Sequence, residues 1–244
     1  MHRTLFFSFL LLFSAELCAA AATNTGRQEA AFAAALQQAS APAVTLYQND
    51  MKDKEEEFLY QQAFNFLLVF PPQGRKAVFD LKQTDMPNAH IYIYIAPSEK
   101  LRQTLRGSGF NPDMVLPAGT NGVTLPLTQK NTGFKKLFVM IASDLILGDE
   151  PLVFPLTQAK REEALAKLSA LLAHEIYGHA YLYAFDPRLD IPRKEQEIYA
   201  YEQSASFLAR IAAHPELKQR PGLIKELNKA RETENYLRWV WSRR

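Results

Sequence analysis

Two of the five histidines in the chain, His174 and His179, stand five residues apart inside a long helical stretch, and that spacing constrains the fold more than any other feature. The stretch runs from Thr157, a residue suited to cap a helix N-terminus, to Phe185, where Asp186-Pro187 stops it. Glu162 and Glu163 lie near the positive end of its dipole. Leu171-Leu172-Ala173 precedes His174, so this part of the helix belongs in a core. On a regular helix five residues turn by about 500°, which leaves the two imidazoles about 140° apart. A single-turn π-bulge absorbs one extra residue and restores a shared face. Gly178 falls inside the interval and tolerates the needed distortion best.

A glutamate, Glu175, directly follows the first histidine. Buried imidazoles and a buried carboxylate are costly without partners, and a metal ion is one such partner. Catalytic zinc commonly takes three protein ligands and leaves a fourth position to water, whose proton an adjacent carboxylate can take. His174 and His179 are therefore candidate zinc ligands and Glu175 a candidate general base. A third ligand is needed. A third histidine six residues after the second is absent: Phe185 stands there, and Leu182 replaces the glycine of that pattern. Asp186 is one residue off that slot and is an outside candidate.

The better source is the next helix, Arg193 to Ala213. On a 100° wheel Ala200, Phe207, Leu208 and Ile211 lie in one broad apolar arc, with Glu197 near its centre. Glu195 and Glu202 fall on the opposite side. Glu197 is the first choice for the third ligand and Glu202 the reserve. The competing reading of Glu197 is an ion pair with a neighbouring Arg or Lys.

His174-Glu175-x-x-Gly178-His179 resembles the variant motif of the dipeptidyl peptidase III family, a branch of the glutamate-liganded (gluzincin-like) zinc peptidases. The resemblance covers the motif and the helix after it, not the whole chain. It implies that the two histidines bind zinc, that Glu175 activates water, and that a downstream helix supplies a glutamate ligand.

The start of the chain reads as an address. Met1-His2-Arg3 is basic, Leu5 to Phe13 is apolar apart from Ser8, and Ser14 to Ala22 is rich in small residues. That is the pattern of a secretory signal peptide over residues 1–22. The apolar run is far shorter than the roughly 20 residues of a spanning helix, so no stable membrane insertion is expected after cleavage. Leu17 and Glu16 before Cys18 do not suit lipidation. Cleavage removes Cys18, the single cysteine, together with Arg3 and Glu16, and the charge of the remaining chain stays +2. A cysteine-free exported protein suits an oxidising compartment, periplasmic or extracellular. A net charge of +2 is too slight for a nucleic-acid surface. A hydrophobic fraction of 48% with 22% charged residues excludes a disordered chain.

Residues 23–244 are expected to form one α+β domain of zincin-like type, with an N-terminal helical arm over about 23–70. Lys52 to Glu57 reads as a solvated helix start leading into a buried Phe58 to Phe70. Lys76 to Leu81 reads as a short strand. His90 to Ala96 alternates, with Ile91, Ile93 and Ile95 on one face and Tyr92 and Tyr94 on the other. Pro97 to Pro126 reads as loop around a short helix at Glu99 to Leu105, and Lys135 to Ala142 as a second strand. A third helix runs from Leu223 to Trp241. In the zincin type an edge strand lines the cleft and pairs with an extended peptide, a role for His90 to Ala96 or Lys135 to Ala142. Of the tyrosines Tyr177, Tyr181, Tyr183, Tyr199 and Tyr201, one is a candidate donor to an oxyanion.

The expected function is zinc-dependent hydrolysis of peptide bonds outside the cytoplasm. Two rivals are a zinc hydrolase of a non-protein amide such as cell wall, and a non-catalytic binding protein with a degenerate motif. Nothing in the sequence sets the oligomeric state.

Overall fold

The computed structural model describes residues 41–48, 53–148, 152–186, 188 and 190–244. The expected signal peptide and most of the Thr23–Ala41 arm lie outside the described residues. The elements run β1 (Val44–Gln48), α1 (Lys54–Val69), β2 (Ala89–Ala96), α2 (Ser98–Gly107), α3 (Pro112–Val115), β3 (Gly122–Thr128) and β4 (Lys135–Ala142). Then come α4 (Gln158–Ala173), a π-helical segment (His174–Ala180), α5 (Tyr181–Phe185), α6 (Arg193–Ala212) and α7 (Pro221–Arg243). Mixed α and β content around one small sheet is the expected α+β class.

The sheet order is β1-β2-β4-β3, with β1, β2 and β4 parallel and β3 antiparallel to β4. Alternation in β2 does what the sequence asks of it. Ile91, Ile93 and Ile95 are buried on the core face with Leu137, Val139 and Ile141 of β4. Burying each such side chain contributes about 1.5–3 kcal/mol. Tyr94 stacks on Tyr47, and Tyr92 on Phe138, on the other face.

The core face is covered by helices. Leu59, Tyr60, Ala63 and Leu67 of α1, Leu165, Leu168 and Leu172 of α4, and Phe207, Leu208 and Ile211 of α6 enter one cluster. Thr157 caps α4, accepting from the Lys160 N–H. Asp53 caps α1, accepting from the Glu55 N–H. The charge run is not wholly solvated, however: Glu55 pairs with Arg161 and accepts from the Leu156 N–H at 3.2 Å, tying α1 to α4.

Four expectations are corrected. Lys76–Leu81 is not a strand; Val78–Asp80 forms a 3-10 turn with Val78 buried. The N-terminal arm is not helical throughout, because Val44–Gln48 joins the sheet as β1. Pro97–Pro126 is not mainly loop: its end enters β3, and it holds α3 as well as α2. Neither His90–Ala96 nor Lys135–Ala142 is an edge strand, since both lie inside the sheet; β1 and β3 occupy its edges, and β3 is the one beside Glu175. Among the described residues, no helix is long and apolar enough to cross a membrane.

Candidate metal centre

The helix that carries both histidines changes its winding at the first of them. Regular α4 ends at Ala173, and His174 to Ala180 is π-helical, with the Tyr181 N–H reaching back five residues to the Ile176 carbonyl. The wider turn absorbs the extra residue. The two rings come together edge to face, their centroids 4.9 Å apart.

Glu197 arrives from α6. Its Oε2 lies 3.8 Å from His174 Nε2 and 4.0 Å from His179 Nε2. One ligand atom from each of the three residues falls within 4.8 Å of the others. Tetrahedral zinc with ligands at about 2.0–2.2 Å holds its donors about 3.3–3.6 Å apart, so a small contraction closes the set. What permits this approach is Gly178. A Cβ there would lie 2.5 Å from both Cα and Cβ of Ala200, so the backbones of the π segment and α6 are in direct contact. Ala200 is three residues after Glu197, which places the carboxylate one turn away on the same face. Gly178 lies inside the π segment, as expected, and it also makes room for the neighbouring helix.

Glu175 is buried, and the Thr124 hydroxyl of β3 lies 2.8 Å from its Oε2 and 3.0 Å from its carbonyl oxygen. Burial first, and then the Glu197 and Glu234 carboxylates, raise the Glu175 carboxyl above its ordinary pKa, against the lowering effects of His174 and Thr124. β3 passes close enough that a Cβ on Gly122 would sit 3.1 Å from Glu175 Cγ and 2.6 Å from Leu171 Cδ1. His179 is pushed down to about 3 by burial, and further by His174 and Arg193, so its ring is neutral near pH 7. For His174 burial pulls downward, but Glu234, Glu175 and Glu197 outweigh it and the net shift is upward.

These residues line a cleft of about 900 Å³ whose walls include Val123 and Thr124 of β3, Ala170 and Leu171 of α4, Arg193 of α6 and Leu237 of α7. The donor set fits a divalent cation. Three largely buried carboxylates, Glu175, Glu197 and Glu234, converge on two imidazoles, one of them held neutral. Arg193 provides a cation 3.7 Å from Glu197 Oε1, so the ion pair weighed against ligation exists, although the Arg193 side chain is 79% exposed. Solvent weakens such a pair, and it leaves the inner oxygen facing both imidazoles.

The reserve candidates stand elsewhere. Glu202 is exposed, outside this cleft. Asp186 is paired with Arg188, which holds its carboxyl down at about 2. Of the tyrosines, Tyr177 donates to the Leu67 carbonyl and Tyr181 to the Lys76 carbonyl, both in the core. Tyr183 and Tyr201 line the cleft; Tyr183 donates to Gln196 Oε1, and the Tyr201 ring packs 4.4 Å from that of His174. His90 meets the Thr45 hydroxyl at 2.9 Å and His214 packs on Phe70, both away from the cleft.

Sequence reasoning missed Thr124 and Glu234. Thr124 carries no signal, because its strand, interrupted by Pro126, reads as loop in the sequence. Glu234 sits among the polar residues of α7 and resembles a solvated position until α7 is packed against α6. No protein-family model, curated protein or solved structure matches this chain.

Proposed function

We propose that the chain is an exported zinc-dependent metallopeptidase with His174, His179 and Glu197 as ligands and Glu175 as general base. The observation that carries this reading is the π segment, which brings two imidazoles spaced five apart onto one carboxylate from the next helix. A zinc ion held by these residues supplies Lewis acidity and brings the pKa of bound water to about 7. Glu175, next to His174 in the chain and held by Thr124, takes the proton from the attacking water and passes it to the leaving amine. Arg193 and Tyr201 line the cleft as donors for a developing oxyanion, whereas the Tyr183 hydroxyl is already given to Gln196.

The peptide preference, and the zincin-like form of the fold, are supported by β3. It is an antiparallel edge strand on a mixed sheet, and it lines the cleft beside Glu175. An extended peptide can add to such an edge through main-chain hydrogen bonds. The pattern of residues 1–22 supports export to the periplasm or beyond.

The test is metal content and hydrolysis together. The purified chain is assayed for zinc stoichiometry, then offered casein and peptidoglycan in parallel, with Glu175→Gln as control. One zinc per chain and cleavage of casein lost in that variant is the expected result. Cleavage of peptidoglycan alone would move the substrate to cell-wall amides. Absence of zinc would leave a binding protein with a degenerate motif.

A further inference from the structure

The His174 ring lies between two carboxylates at equal distance. Its Nε2 is 3.8 Å from Glu197 Oε2, and its Nδ1 is 3.8 Å from Glu234 Oε2. Nδ1 is buried and makes no hydrogen bond, so a buried donor or acceptor waits for a partner. Glu234 comes from α7, and its side chain is only 12% exposed. It is held from a third helix: the buried Ser204 of α6 donates to the same oxygen, Oε2.

The two carboxylates compete for one proton. If it sits on Nε2, it faces Glu197 and that nitrogen has no lone pair to give. If it sits on Nδ1, it faces Glu234 and Nε2 is free. We infer that Glu234 is a positioning residue that accepts the Nδ1–H of His174 and, anchored by Ser204, holds the tautomer in which Nε2 binds metal. This rests on the metal-site reading given above. The 3.8 Å gap exceeds a hydrogen bond, and a sub-ångström shift of the ring or of α7 closes it. A carboxylate behind a ligand histidine fixes ring orientation and raises its basicity, and losing it commonly weakens metal binding about 10–100-fold.

The test measures zinc affinity by chelator competition for wild type, Glu234→Ala, Glu234→Gln and Ser204→Ala, with long-range ¹H–¹⁵N NMR of the histidine rings in zinc-loaded wild type. Expected are a proton on His174 Nδ1, a 10–100-fold loss of affinity in Glu234→Ala, and a smaller loss in Glu234→Gln, whose amide oxygen still accepts. Should Glu234→Ala fail to fold, Glu234→Gln and Ser204→Ala carry the measurement, each expected to bind more weakly than wild type. Folded variants that bind zinc as wild type does, or a ring bound through Nδ1, overturn the inference and leave the metal site standing. A wild-type chain that binds no zinc overturns both.

Discussion

Gly178 and Ala200 touch through their backbones, and that contact sets the reach of Glu197 toward the two imidazoles. A methyl group at position 178 has nowhere to go, because it would meet α6 backbone at 2.5 Å. Gly178→Ala must push the two helices apart, at about 1–3 kcal/mol for overpacking. The same displacement draws Glu197 off the histidines. We expect a lowered melting temperature in the metal-free protein and zinc affinity reduced by more than tenfold, read by thermal denaturation and chelator competition. Unchanged affinity would show that the contact does not set the site.

Glu197 and Glu202 lie on one helix but have opposite fates. Glu197→Ala removes the proposed third ligand and is expected to abolish stoichiometric zinc. Glu202→Ala touches an exposed side chain and should leave both zinc content and activity as they were. Metal analysis of the two variants side by side checks this.

Glu175→Gln separates chemistry from binding. The carboxyl is buried and its pKa raised, so the fold already disfavours its charge, and a neutral amide of the same shape still accepts from Thr124. Zinc should be retained and metal-free stability should not fall, while kcat drops about 10²–10⁴-fold, the ordinary share of a general base. Parallel melting curves and turnover assays give the answer.

The two imidazoles titrate in opposite senses in the metal-free protein. Unfolded, both have pKa values near 6.5. His179, held at about 3, opposes folding as pH falls from 6.5 toward 3, since only the unfolded chain takes up its proton. His174 is raised, so its contribution is fully present below 6.5 and is lost as pH rises through its folded value. A ligand histidine must be deprotonated to bind metal. With zinc on the proposed ligands, His174 is expected to release a proton on binding and His179 is not. Below the His174 folded pKa, zinc affinity should fall about tenfold per pH unit, the slope of one proton. A slope of two would mean that both rings start charged.

The bulge and its third partner were legible because they depend on local periodicity. Five residues between histidines on an apolar helix permit one remedy, and Glu197 stands in the middle of an apolar arc whose Ala200, Phe207, Leu208 and Ile211 are buried. The edge strand was not legible. Pro126 interrupts it, and no residue from Gly122 to Leu127 is fully buried, so alternation is blurred. An edge tolerates proline because one side carries no ladder. Glu234 was hidden for another reason. Its helix carries charges all round, and only the packing of α7 against α6, with Ser204 below it, marks that carboxylate as internal.

The most direct test is anomalous diffraction at the zinc edge from crystals of the intact chain grown with zinc. One strong peak is expected about 2.0–2.2 Å from His174 Nε2, His179 Nε2 and a Glu197 oxygen, on an unbroken π segment. No peak at that point, or a regular helix with the imidazoles turned apart, would contradict the proposed site.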